Sequence, residues 1–130
     1  MKENSKLYKI KPYSLKDKEK KIIFKKIIND LTQHHYINSK NYKKLLKFLN
    51  YSKQHISKLE EAPFLPVKLF KDFDLKSIKK TEVIKVLLSS GTTSNQPSKI
   101  YLDKTNANAQ SKVLNIIMQT ILGKKRTPML

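Results

Sequence analysis

The chain has 130 residues, 28 Lys and Arg against 10 Asp and Glu, and a formal net charge of +18. That length holds one small domain. With no cysteine, the composition excludes disulfides, a cysteine nucleophile and a zinc–thiolate site, and no apolar run approaches the ~20 residues that a membrane-spanning helix needs.

Residues 1–13 are polar and basic. They lack the apolar core of a signal peptide and predict a mobile lead-in to a cytoplasmic protein. Ser14 can cap a helix, with Asp17 three residues on as its box partner. Phe24, Ile27, Ile28 and Leu31 then recur at helical spacing, and lysines fill the other faces. Ser39 predicts the start of a second helix with Tyr42, Leu45, Leu46 and Leu49 inward. A third short helix is expected over 52–60. His34, His35 and His55 read as helix-end or surface residues, because adjacent positions on a helix point about 100° apart and no His-x3-His spacing occurs. No metal site is expected.

Pro63 and Pro66 break the helical region. Val67, Leu69, Phe70, Phe73 and Leu75 follow as a dense apolar cluster. Val83 to Leu88 predicts a buried strand within an extended stretch 82–90, and Lys99 to Leu102 a second strand. Between them, Ser89-Ser90-Gly91-Thr92-Thr93-Ser94 concentrates hydroxyls, backbone N–H groups and a glycine free to take positive φ. Such a loop can cradle a phosphate. It is not a Walker A motif, since Asn95-Gln96-Pro97 stands where Gly-Lys-Ser/Thr would open a helix. A Ser/Thr-rich hairpin turn gives the same residues a purely structural use. Asp103 or Thr105 can cap a last helix in which Ala109, Val113, Ile117 and Ile121 repeat every four residues. Gly123 predicts its C′ position, with Lys124, Lys125 and Arg126 near the negative end of its dipole. The order of helices, strand, loop, strand and helix predicts an α/β class.

The loop resembles the phosphate-binding loop of the adenylate-forming acyl-CoA synthetase and ligase superfamily, which usually reads Ser/Thr-Ser-Gly-Thr-Thr-Gly with Pro-Lys one residue on. The closer resemblance is to the acyl-protein synthetase branch, LuxE-type. Three more segments carry it, in order along the chain: Phe64-Leu65-Pro66-Val67-Lys68-Leu69-Phe70-Lys71, Ser98-Lys99-Ile100-Tyr101-Leu102-Asp103, and Gly123-Lys124-Lys125-Arg126-Thr127-Pro128-Met129-Leu130. Ser94 stands in place of the usual glycine. Pro97 comes one residue late and Lys99 two, so Lys99 is open to either reading, a phosphate contact or a solvated strand residue.

The resemblance implies an N-terminal helical region over 1–62. Residues 63–130 would begin the adenylate-forming sheet-and-helix core, left incomplete, so the chain is expected to be the N-terminal piece of a longer enzyme. It implies ATP and Mg2+ as cofactors and a fatty carboxylic acid as substrate. It also implies acyl transfer to a protein thiol, as in the fatty-acid reductase systems of bioluminescence, with an acyl reductase or the rest of the enzyme as partner. Ser89, Ser90, Gly91, Thr92, Thr93, Ser94 and Lys99 would hold the ATP phosphates. The alternative is a non-enzymatic basic module for RNA or an acidic partner. The +18 charge favours it. The presence of a single arginine, Arg126, and the lysine-rich composition typical of AT-rich coding weigh against it.

Overall fold

The computed structural model describes residues 9–52, 55–89 and 97–123. The first eight residues of the expected lead-in lie outside that set. Residues 9–13 are not a free lead-in: they turn back along the first helix. Tyr13 takes a left-handed φ of 64° and the Ser14 N–H donates to the Lys11 carbonyl at 3.2 Å. A groove of about 520 Å³ opens there between Ile10, Pro12, Tyr13, Ile23, Phe24 and Ile27, with Lys11 and Lys20 at its edge.

Helix α1 runs Asp17–Asn38. Ser14 does not cap it. Its hydroxyl donates to the Lys11 carbonyl at 2.7 Å and is used up in the turn. The helix starts instead at Lys16, whose N–H donates to the Glu19 carboxylate at 3.1 Å. Asp17 and Glu19 place negative charge at the positive end of the dipole. Ser39 ends α1 and begins α2, Lys40–Phe48. Its N–H donates to the His35 carbonyl at 2.9 Å, and its hydroxyl accepts from the Tyr42 N–H at 3.3 Å. Both helices thus share one buried residue as their joint, which sets them against each other.

Leu46 of α2 is 1% exposed and anchors the helical core. Tyr42 and Leu45 are half-buried as expected, but Leu49 is largely exposed because it lies beyond the last helical turn. There the chain closes in a Schellman motif. Asn50 takes φ 51°, its N–H reaches the Lys47 carbonyl, and the Tyr51 N–H reaches the Leu46 carbonyl at 2.9 Å.

The third helix expected over 52–60 is absent among the described residues, apart from a single 3-10 turn at Leu59–Glu61. Ile56 gives its backbone to α1 instead. Its N–H donates to Asn29 Oδ1 at 2.8 Å, and Asn29 Nδ2 donates back to its carbonyl at 3.4 Å. The N–H groups of Ser57 and Lys58 both donate to the Glu61 carboxylate. With those donors committed, no helical ladder can form. Ile56 itself is buried.

After Pro63 and Pro66 comes one short turn, α3, Leu69–Asp72. The apolar cluster around it is looser than expected. Leu69, Phe70 and Leu75 are half-buried, whereas Val67 and Phe73 are exposed. Two side chains tie the next segment to the helices. Asn41 donates to the Asp74 carbonyl at 3.2 Å, and His35 Nδ1 lies 2.6 Å from Ser77 Oγ.

A second 3-10 turn, Lys80–Glu82, leads into strand β1, Lys85–Leu88. Strand β2, Lys99–Leu102, pairs with it antiparallel, Lys85 opposite Leu102 and Leu88 opposite Lys99. β2 spans the expected residues; β1 begins later than 82 and is not buried. Ile84, Val86 and Leu88 are all exposed, because a two-stranded sheet has few neighbours to cover it. Leu102 is the buried member. Helix α4, Lys104–Leu122, follows at once. Asp103 caps it, accepting from the Asn106 N–H at 2.7 Å. Ala109, Val113 and Ile117 form a half-buried stripe, but Ile121 is exposed. Gly123 ends the helix at φ 79°, a conformation that disfavours any side chain. Lys124 to Arg126 lie outside the described residues. No helix among the described residues is long and apolar enough to cross a membrane.

Leu46→Ala leaves a cavity beside the α1–α2 joint and should cost about 2–5 kcal/mol, read as a lower denaturation midpoint. His35 gives a pH dependence. Burial, and then the neighbouring charge of His34, hold its pKa below the ordinary 6.5. The unfolded chain therefore binds the proton more readily, and the contribution is complete above pH 6.5 and lost as pH falls below it. Melting temperature should drop between pH 7 and pH 5, and His35→Gln should flatten that drop.

Candidate functional site

The expected site lies where β1 and β2 meet the connecting loop. Ser89 leaves β1, and Pro97 and Ser98 enter β2. The Ser89 N–H donates to the Ser98 carbonyl at 3.1 Å, and the Ser98 N–H donates to the Ser89 hydroxyl oxygen at 2.9 Å. This pair continues the strand register by one step. A side-chain oxygen thus stands where a ladder would ordinarily use a carbonyl. The two bonds close a neck, from which residues 90–96 depart.

Of the seven residues expected to bind phosphate, two are described. Ser89 sits in the neck, where its hydroxyl accepts from Ser98 and keeps its own proton to donate. It therefore has the kind of structural task that the hairpin-turn reading gave these residues. Lys99 is an exposed residue of β2, opposite Leu88. Ser90, Gly91, Thr92, Thr93 and Ser94 lie outside the described residues.

Beside Lys99, on the same strand, Tyr101 joins a small polar cluster. Lys76 bonds the Asp74 carboxylate and lies 5.1 Å over the Tyr101 ring. The bond to Asp74 favours the charged ammonium and raises the Lys76 pKa. Desolvation, and then the Asp74 carboxylate, push the Tyr101 hydroxyl above its ordinary value. The cluster fastens segment 74–76 to the edge of the hairpin. Sequence reading missed it, because nothing in the spacing of Asp74, Lys76 and Tyr101 announces their meeting.

The histidines lie apart from this hairpin. His55 is exposed, and His35 is a helix-end residue, in the last turn of α1, though not a surface one. It is half-buried against Ser77, with its ring edge-on to Tyr42 at 5.7 Å. His34 stacks edge-on to His35 and bonds Asn38. No group of three metal-ligating side chains occurs among the described residues.

A helical pair carrying a hairpin and a capped return helix makes this a mixed helix-and-strand protein of the α/β class. The chain belongs to the LuxE acyl-protein synthetase family: the family model described as "Acyl-protein synthetase, LuxE" matches residues 3–130. Membership places its general activity among the acyl-protein synthetases, which are ligases. No curated protein and no solved structure matches the chain.

Ser89→Ala removes the acceptor for the Ser98 N–H and leaves that donor unpaired at the neck. The expected cost is about 1–3 kcal/mol, with faster amide exchange at Ser98 and Leu87. Unchanged exchange at both would show that the neck closes without the Ser89 hydroxyl.

Proposed function

We propose that the chain supplies the ATP-engaging hairpin of an adenylate-forming acyl-protein synthetase. The family match over residues 3–130 carries this reading. In the proposed reaction a fatty carboxylate attacks the α-phosphorus of ATP. The new bond is C–O–Pα, the Pα–O–Pβ bond breaks, and pyrophosphate leaves. A thiolate then attacks the acyl carbonyl, forming the thioester and releasing AMP. These 130 residues contain no cysteine, so the proposed acceptor thiol lies outside them.

The proposed work of the loop is electrostatic. The triphosphate carries about four negative charges, and preorganised donors neutralise them without reorganising. Ser89, Ser90, Thr92, Thr93 and Ser94 would donate hydroxyls to the β- and γ-phosphates, and Gly91 would let the backbone approach. Lys99, exposed beside the neck, would add a positive charge. None of these residues acts as nucleophile or base. Mg2+ would enter with the triphosphate, since magnesium is commonly held by substrate phosphates together with one or two carboxylates. We place the reaction in the cytoplasm, with an acyl reductase as the downstream partner, and read the +18 charge as lysine-rich composition.

The test is a double substitution, Thr92→Val with Thr93→Val, which keeps the branched shape and removes two hydroxyls. Each lost bond to a charged group is worth about 1.5–3 kcal/mol, so Mg–ATP affinity should fall on the order of a hundredfold or more while the melting temperature stays. A lower melting temperature with unchanged Mg–ATP affinity would make the loop a turn and nothing more.

A further inference from the structure

Segment 74–77 has no helix or strand of its own and is held from two sides. Toward the helices, Asn41 of α2 donates to the Asp74 carbonyl at 3.2 Å, and His35 of α1 meets the Ser77 hydroxyl through Nδ1 at 2.6 Å. Toward the hairpin, Asp74 bonds Lys76, whose ammonium lies 5.1 Å over the ring of Tyr101 on β2. Among the described residues, α1 packs on α2 and the hairpin packs on α3 and α4, while the helical pair and the hairpin share little direct packing. The segment is therefore a strap between two halves that otherwise scarcely touch. Ser77 and Lys76 are adjacent, so Ser77 cannot leave α1 without moving the backbone from which Lys76 reaches Tyr101.

One end of the strap is titratable. Neutral, His35 can bond Ser77 in either tautomer, accepting or donating at Nδ1. Charged, it can only donate, and it carries its charge into a half-buried site. The groups that face it are His34 on α1 and Tyr42 on α2, with ring centroids 5.4 and 5.7 Å away, and Ser77 on the strap. Burial raises the Tyr42 pKa above its ordinary 10, so Tyr42 stays neutral. Among the described residues, no carboxylate acts on His35 to offset a proton. The negative end of the α1 dipole favours the charge, but burial, and then His34, outweigh it and hold the His35 pKa below 6.5. The charged ring gains by reaching water, which it does when the strap lifts.

We propose that segment 74–77 is a proton-gated strap: with His35 neutral it ties the hairpin to the helical pair, and with His35 charged Ser77 lifts from α1 and the contact of Lys76 with Tyr101 loosens. The strap is latched above pH 6.5 and opens as the pH falls below it. It is a local event, distinct from the loss of overall stability, and it holds whatever the hairpin binds.

The experiment uses the whole 130-residue chain between pH 7.5 and pH 5, at a temperature where it stays folded throughout. Nuclear magnetic resonance follows the His35 ring, the Ser77 amide, the Tyr101 ring and, as a core reference, the Leu46 amide. Ser77 and Tyr101 should shift together with the His35 midpoint, below pH 6.5, while Leu46 stays in place. Amide exchange at Ser77, referred to His35→Gln at the same pH, should rise about tenfold per pH unit between 6.5 and the lower folded pKa, then level off. His35→Gln, which keeps an uncharged partner for Ser77, should abolish the transition at Tyr101. Ser77→Ala should leave His35 titrating and silence Tyr101, and it decides the matter if His35→Gln does not fold. A Tyr101 ring that stays still while His35 titrates would overturn the proposal. So would a Tyr101 transition that survives either substitution, or a Leu46 amide that moves with the same midpoint, which would make the change global.

Discussion

Four antiparallel pairs, from Lys85 opposite Leu102 to Leu88 opposite Lys99, hold the hairpin on which every proposed phosphate contact depends. A sheet of two short strands is barely stable by itself. Its register is therefore maintained from outside the ladder. Leu102 is buried at one end, and the very next residue caps α4. Tyr101 is gripped by Asp74 and Lys76 from the other side. Ser89 and Ser98 close the far end through a side-chain bond. A slip of one residue would turn Leu102 outward and Tyr101 inward, and would break all three anchors at once. The placing of Ser89 and Ser98 at the end of the ladder is inherited from these anchors.

The same scarcity of partners shapes the helical half. The chain has ten carboxylates, and Glu19, Glu61, Glu82 and Asp103 each accept a backbone N–H at the start of a helix or turn. Three of these follow one pattern, a lysine with glutamate three residues on, in which the lysine contributes only its backbone. In so basic a protein, negative charge is placed where orphan donors and the dipole favour it. Most of the described lysine side chains are left exposed, where salt screens their charge.

Periodicity and capping chemistry made several elements legible. Ser39, Asp103 and Gly123 mark their helix ends, and Lys99 to Leu102 alternate as a strand. The failures have one common cause. Ser14 looked like a cap, yet a left-handed Tyr13 drew it into a turn. Residues 52–60 looked helical, yet Asn29, far away in sequence, took the backbone of Ile56. His35 was legible as a helix-end residue, but the Ser77 hydroxyl that meets it was not. Each depends on a partner 27 or more residues distant, or on one unusual φ, and local pattern carries neither. At the site, the loop announced itself by composition. Ser98 was visible only as a flanking residue, because its burial and its pairing with Ser89 come from the hairpin register.

Asn29 has a consequence of its own. Its amide presents one donor and one acceptor to Ile56, as a neighbouring strand would, so a single side chain performs the work of a ladder rung. The attachment does not depend on how many residues lie between the two points. Insertions between the end of α2 and Ile56 can lengthen the connection without disturbing where it lands, since loop closure grows only slowly more costly with length. A shift of one residue within α1 has no such tolerance, because it rotates the amide about 100° away from its target. Changes in chain length are therefore tolerated between the two attachment points and not within the helix.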